Sequence, residues 1–192
     1  KKSPRARTAA VKPSDRDTEI HQATAECRKL VYPRVFSSPK LRRPARLMEY
    51  LYLASYREAQ DEKLLRKYCI THVINLAYGD IKPRRFDGVE YLNIDAEDEQ
   101  DYPVLSNHFE ECATFINAAR DSGGRILVHC VAGVNRSATI CVAYLLTELA
   151  KPLQHCIKAA YTERPIILSN ESFIEQLVRF ERTRMTPAAS AS

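Results

Sequence analysis

Apolar positions along the chain change rhythm repeatedly, and each change marks an element. Ile20, Ala23, Cys27, Leu30 and Val31 recur at the spacing of one helix face. Ser14 or Asp15 can cap that helix, and Asp17 and Glu19 sit in its first turn. Leu47 to Ala54 reads as a first strand. Ser55 then opens a helix from Tyr56 to Tyr68, with Ala59, Leu64, Leu65 and Tyr68 inward. Thr71 to Ala77 and Val89 to Ile94 are the next strands, separated by a polar turn region. Val104 to Arg120 is helical, with Phe109, Cys112, Ala113, Phe115, Ile116 and Ala119 on its inner side. The turn signal Ser122-Gly123-Gly124 precedes a short buried strand, Ile126 to Val128. After a small-residue loop, Val131 to Asn135, the residues Arg136 and Ser137 open an apolar run long enough for a buried helix. Pro152 suits the first turn of a helix to about Tyr161, which Arg164-Pro165 ends. Asn170 caps a last helix containing Phe173, Leu177, Val178 and Phe180. Strands alternating with helices predict an α/β domain with helices on both faces of one sheet.

Composition narrows this picture. Hydrophobic residues make up 45% of the 192, enough for a real core. No run approaches the ~18 consecutive apolar residues of a membrane span, and the N-terminus lacks a signal-peptide core. No membrane association is expected. The net charge is +5 but uneven. Residues 1–46 hold 13 Lys/Arg against 4 Asp/Glu, whereas residues 47–192 hold 16 against 20. Residues 1–13 read as a disordered basic tail, 14–45 as a helix and linker, 46–184 as the main domain and 185–192 as a flexible tail. The basic segment suits an acidic partner or a nuclear address, although most such tails are simply solvated. Within it, Lys40, Arg42, Arg43 and Arg46 precede Leu47 and Leu51, a faint match to a kinase docking motif. The apolar face of the first helix is expected to pack on the domain, with a partner surface as the alternative. Six cysteines without CxxC or framework spacing suggest a reducing compartment, hence a cytoplasmic or nuclear protein. The five His residues are dispersed and form no metal-ligand pattern.

The chemistry concentrates in Arg125 to Leu146, RILVHCVAGVNRSATICVAYLL. A strand ending at a cysteine, a tight loop and a helix N-terminus make an anion site. Successive loop amides form a nest, and the helix end adds partial positive charge. Arg136 adds a planar fork suited to phosphate oxygens, and the combined field favours the thiolate of Cys130. A lone buried cysteine is more often a small hydrophobe. Here it is joined by Gly133, where the backbone turns, by Arg136 and by Ser137.

His129-Cys130-x-x-Gly133-x-x-Arg136-Ser137 resembles the signature of the cysteine-dependent protein tyrosine phosphatase superfamily. With Ser137-Ala138-Thr139 and Ala143-Tyr144-Leu145, it is most similar to the dual-specificity branch. Cys69 to Leu76, Tyr91-Leu92-x-Ile94 and Asn170-x-x-Phe173-x-x-Gln176-Leu177 fit the same family in order, so the resemblance covers roughly residues 46–182. It implies a phosphotyrosine phosphatase-like domain with a central mixed, mostly parallel sheet and an N-terminal helical extension. It also implies hydrolysis of phosphotyrosine and phosphoserine/phosphothreonine in protein substrates, without a metal or organic cofactor.

In that reading the amides of Val131, Ala132, Gly133, Val134, Asn135 and Arg136, with the Arg136 side chain, hold the phosphate. Cys130 attacks phosphorus, Ser137 stabilises the departing thiolate, and His129 orients the loop and keeps Cys130 acidic. The leaving oxygen needs a proton. The acidic loop DAEDEQDY, Asp95 to Tyr102, supplies it at Asp98, with Asp95 and Asp101 as substitutes. Neutral loop residues Val131, Ala132, Val134 and Asn135 argue against inositide headgroups, and the absence of Trp argues against the larger tyrosine-specific enzymes. Asn135 departs from the usual Ser and is similar to the loop of RNA 5'-phosphatases. Ser137-Ala138 differs from those enzymes, so nucleic acid is the weaker expectation. A phosphoprotein-binding pseudophosphatase is the remaining alternative, set against the intact Cys130 and Arg136. The sequence leaves the oligomeric state open.

Overall fold

Period-two alternation makes a strand that can serve two helical layers at once, and the central strand does so. In the computed structural model, which describes residues 14–185, strands β1 (Ala45–Arg46), β2 (Leu51–Ser55), β3 (His72–Asn75), β4 (Glu90–Asn93) and β5 (Ile126–Cys130) form one sheet. The order is β1-β2-β5-β3-β4, with β1 antiparallel to β2 and every other pairing parallel. All five residues of β5 are buried. Ile126, Val128 and Cys130 enter the larger core, while Leu127 enters the smaller one with Tyr52, Ala54 and Val73. The mixed, mostly parallel sheet expected from the resemblance is the one observed.

Helices α1 (Asp15–Leu30), α2 (Tyr56–Ala59), α3 (Glu62–Lys67), α4 (Val104–Asp121), α5 (Arg136–Leu149), α6 (Leu153–Glu163) and α7 (Glu171–Met185), with a single 3-10 turn at Pro39–Arg42, complete the elements of the described residues. The larger core joins the sheet to α4, α5, α6 and α7, and the smaller lies under α2 and α3. Residues Arg136 to Leu146 of α5 are all buried. α1 packs on α6 and α7, burying Ile20, Thr24 and Cys27. Burial of Ile20 and of Val31 just beyond the helix contributes about 1.5–3 kcal/mol each. The exposed ion pairs Arg28–Glu171 and Arg182–Glu19 add under about 1 kcal/mol each, so the docking is apolar first. The face considered as a partner surface is thus covered from within.

Two predicted elements are divided. The strand expected over 47–54 is a hairpin, because the amides of Leu47 and Met48 both donate to the Leu51 carbonyl. The helix expected over 56–68 breaks at Gln60-Asp61, where the Asp61 carboxylate accepts from the Leu64 amide and starts α3 afresh. Leu51 is fully buried and Leu47 packs against the core, so the docking motif loses its free leucines. The tails expected over 1–13 and 185–192 lie outside the described residues, apart from Met185, which ends α7.

Candidate active site

Cys130 is the last residue of β5, 1% exposed, at the mouth of the central strand. The Ser137 hydroxyl, in the first turn of α5, donates to its Sγ at 3.2 Å. Between them the chain closes a loop that only glycine permits. Gly133 has φ of +67°, and a Cβ there would lie 2.3 Å from the Ala54 carbonyl oxygen.

The carbonyls of this loop are held from outside. Tyr56 N–H donates to Val131 O at 3.2 Å, and Leu168 N–H donates to Val134 O at 2.7 Å. Arg164 donates from Nη2 to Ala132 O at 2.9 Å and from Nε to Gly133 O at 2.8 Å. A trans peptide points its N–H opposite its C=O. Fixing these four carbonyls therefore turns the amides of Ala132, Gly133, Val134 and Asn135 into the concavity of the loop. Arg164 is itself held by Glu58, 3.5 Å away, and both are nearly fully buried. Glu58 also accepts from the Ser55 amide at 2.6 Å.

Arg136 is 3% exposed. Its Nη1 donates to Asp80 Oδ2 at 2.7 Å, to Ala96 O at 2.8 Å and to Leu76 O at 3.4 Å. Its Nε is buried without a hydrogen-bond partner among the described residues. Such a donor has a full desolvation cost that an incoming anion can relieve. Asp98 lies beside it, Oδ2 being 3.8 Å from Nε. The two substitutes lie elsewhere. The Asp95 carboxylate sits over Gly79, and Asp101 lies at the α4–α7 groove, its amide donating to Ser172.

His129 is 2% exposed, and burial pushes its pKa down to about 4. It is neutral near pH 7 and brings no positive charge toward Cys130, and its Nδ1 lies 3.3 Å from the Cys130 carbonyl oxygen. Burial likewise pushes the thiols of Cys27 and Cys156 up to about 11 and that of Cys112 to about 12, while Cys141 lies well above its ordinary value. Those four are protonated and inert at neutral pH. Among the described residues no group of three His, Cys, Asp or Glu could hold a metal ion, and no helix is long and apolar enough to cross a membrane.

A cleft of about 660 Å³ leads from the loop past Asp98 and Asn135. One wall comes from the segment after α1: Arg34, Phe36 and Leu41. This segment is pinned in place by the Val35 amide on Pro165 O at 3.0 Å and by the Tyr161 hydroxyl on Pro33 O. Tyr56 and Arg57 continue the wall. A second groove, about 490 Å³ between α4 and α7, contains none of the cysteine-site residues.

Sequence reasoning missed Arg164, Glu58 and Asp80. Arg164 stood only as the end of a helix, and nothing in the chain around it marks a partner more than a hundred residues away.

A buried cysteine closing a central parallel strand, with a glycine-turned loop and an arginine opening the next helix, defines the cysteine-phosphatase class of site. The comparisons agree. Residues 51–183 match the dual specificity phosphatase catalytic domain, and the chain belongs to that family. Dual specificity protein phosphatase 1-A of Xenopus laevis is 37% identical over 149 residues, covering 77% of this chain and 40% of that protein. Dual specificity protein phosphatase 1 of Arabidopsis thaliana is 34% identical over 140 residues, covering 73% and 70%. The chain thus aligns with about two fifths of the length of the vertebrate relatives it matches. Among solved structures, DUSP15 superposes with a TM-score of 0.68 at 33% identity, covering 72% of this chain and 86% of that one. The human tyrosine phosphatase-like serine/threonine/tyrosine-interacting protein superposes at 0.66 and 29%, covering 74% and 98%.

Proposed function

We propose that this chain hydrolyses phosphotyrosine and phosphoserine/phosphothreonine in proteins through a cysteinyl-phosphate intermediate. The observation that carries this is the Cys130 loop itself: carbonyls tied outward, amides turned inward, and a buried Arg136 Nε without a hydrogen-bond partner among the described residues, 3.8 Å from Asp98, where the loop enters the next helix. The phosphoryl group binds there, held by the amides of residues 131–136 and by Arg136. The Cys130 thiolate attacks phosphorus in line, and the P–O ester bond breaks as Asp98 gives its proton to the leaving oxygen. Water then attacks phosphorus and passes a proton to Asp98. The P–S bond breaks and the thiolate returns, stabilised by the Ser137 hydroxyl. The donors are aimed in advance at the charge of the transferring group.

The cleft wall supports phosphorylated protein as the substrate class. Arg34 and Arg57 offer two cations and Phe36 an apolar platform beside the loop, which suits a peptide with acidic or phosphorylated neighbours. A kinase substrate would be engaged through this wall. The RNA reading loses its anchor, since the Asn135 side chain is committed to Asp98, Ser169 and Asn170.

The test is phosphate release from an aryl phosphate and a phosphopeptide, metal-free with reductant. Cys130→Ser should abolish turnover, and Asp98→Ala should lower kcat roughly 10²-fold, more for poor leaving groups. A folded wild-type protein that binds phosphopeptide without turnover refutes the enzyme in favour of the binding module.

A further inference from the structure

Asn135 is the helix-capping residue of α5, yet it makes no side-chain cap bond. An asparagine there normally turns its oxygen back onto the first turn of the helix. Here that oxygen faces the other way. Oδ1 accepts from the Ser169 amide at 2.7 Å, the Ser169 hydroxyl at 2.9 Å and the Asn170 amide at 3.1 Å. Two of these donors are backbone N–H groups, so the orientation of the amide is fixed by the network. Nδ2 must then face the opposite side, where it donates to Asp98 Oδ1 at 3.0 Å.

From this geometry we infer that Asn135 is a positioning residue for the general acid. It acts by clamping Asp98 Oδ1 so that Oδ2 carries the catalytic proton. The inference rests on the proposed role of Asp98. An oxygen that accepts an amide N–H along its lone pair is the poorer site for a proton. That leaves Oδ2, the oxygen nearer Arg136 Nε. The same commitment keeps the cap side chain off the first-turn amides of α5, which stay free for the phosphoryl group. The acid loop is thereby tied to the start of α7, since Asn170 also donates from Nδ2 to Glu99 O at 3.1 Å and its Oδ1 accepts from the Ser172 amide. A serine at position 135, as dual-specificity phosphatases usually have, is too short to accept from residues 169–170 and donate to residue 98 at once.

Two variants separate the contact from the local fold. Asn135→Ala removes both sides of the bridge. Asn135→Asp keeps an oxygen for Ser169 and Asn170 but puts an acceptor against Asp98. Both are measured with phenyl phosphate and p-nitrophenyl phosphate, in the wild-type and Asp98→Ala backgrounds, beside thermal melts. We expect kcat on phenyl phosphate to fall between about ten- and a hundredfold in the wild-type background. The loss should be several-fold smaller on p-nitrophenyl phosphate, whose leaving group needs less protonation. In the Asp98→Ala background neither variant should lower kcat further. Equal losses on both substrates, or an undiminished loss without Asp98, overturn the inference while leaving Asp98 in its role. An Asp98→Ala protein that keeps full kcat on phenyl phosphate overturns the acid assignment itself, and the inference with it.

Discussion

Replacing Arg164 with methionine should damage stability and catalysis by separable amounts. The side chain makes three contacts: Gly133 O at 2.8 Å, Ala132 O at 2.9 Å and Glu58 at 3.5 Å. Arg164→Met leaves the Glu58 carboxylate buried with only the Ser55 amide beside it. Removing one partner of a buried ion pair typically costs about 3–5 kcal/mol, a large part of the ~5–15 kcal/mol that holds a domain together. Adding Glu58→Gln removes the stranded charge and lets the amide oxygen keep Ser55. The double variant should therefore be more stable than Arg164→Met alone, with a coupling of about 1–3 kcal/mol between the sites. Its activity should not recover in step, because the Ala132 and Gly133 carbonyls stay untied and their peptides can rotate the inward amides away. Loss of one preorganised donor costs about 10²–10³ in rate, and the double variant should lose that much in kcat/KM. Urea unfolding with reductant gives the first quantity, and phosphate release from p-nitrophenyl phosphate the second. If Arg164→Met costs less than about 1 kcal/mol, or if Glu58→Gln restores activity along with stability, the account of the loop as held from outside is wrong.

Gly133→Ala should lower kcat/KM more than about 10²-fold, because its Cβ would collide with Ala54 O and the loop must shift; a near-normal rate would show that the loop tolerates φ below zero. The folded chain holds His129 neutral down to about pH 4, whereas an unfolded His takes up a proton below about 6.5. This group's contribution is therefore present above pH 6.5 and is lost as pH falls toward 4, by up to about 3 kcal/mol. His129→Gln should flatten that part of the urea-midpoint profile between pH 7 and 5, and identical slopes would refute the buried neutral imidazole. Arg34→Ala with Arg57→Ala should reduce turnover of an acid-flanked phosphopeptide relative to p-nitrophenyl phosphate about tenfold at low ionic strength, an effect that fades with added salt; a ratio unmoved at every salt concentration would remove the cleft wall from substrate selection.

The parts of the site that residue spacing makes legible are those contiguous in the chain, whereas Asp98 follows only from the position the family resemblance implies. Cys130, Gly133, Arg136 and Ser137 are read together because one strand, one loop and one helix turn carry them all, and their geometry follows from local backbone rules. Asn170 was legible for the same reason: its side chain caps the helix that begins one residue later. What stayed hidden depends on side chains meeting across the sheet. Glu58 lies within the helix expected over 56–68 and nothing in its spacing marks it, so only the folded chain brings it to Arg164. The hairpin at 47–50 was hidden because a leucine-rich segment carries strand propensity whether or not its amides fold back on Leu51.

The acidic loop is the most instructive case, because it has no period to read. Asp95, Asp98 and Asp101 are equivalent as residue types, and spacing alone does not choose among them. Backbone turns settle two of them, since Asp95 goes onto Gly79 and Asp101 toward Ser172. Asp98 is held at the loop by Asn135, a position at which the sequence departs from the serine usual in the family it resembles. A residue that weakened the resemblance in sequence is thus the one whose side chain bridges the acid loop, the cysteine loop and the start of α7. Its type is intelligible only when all three are in place.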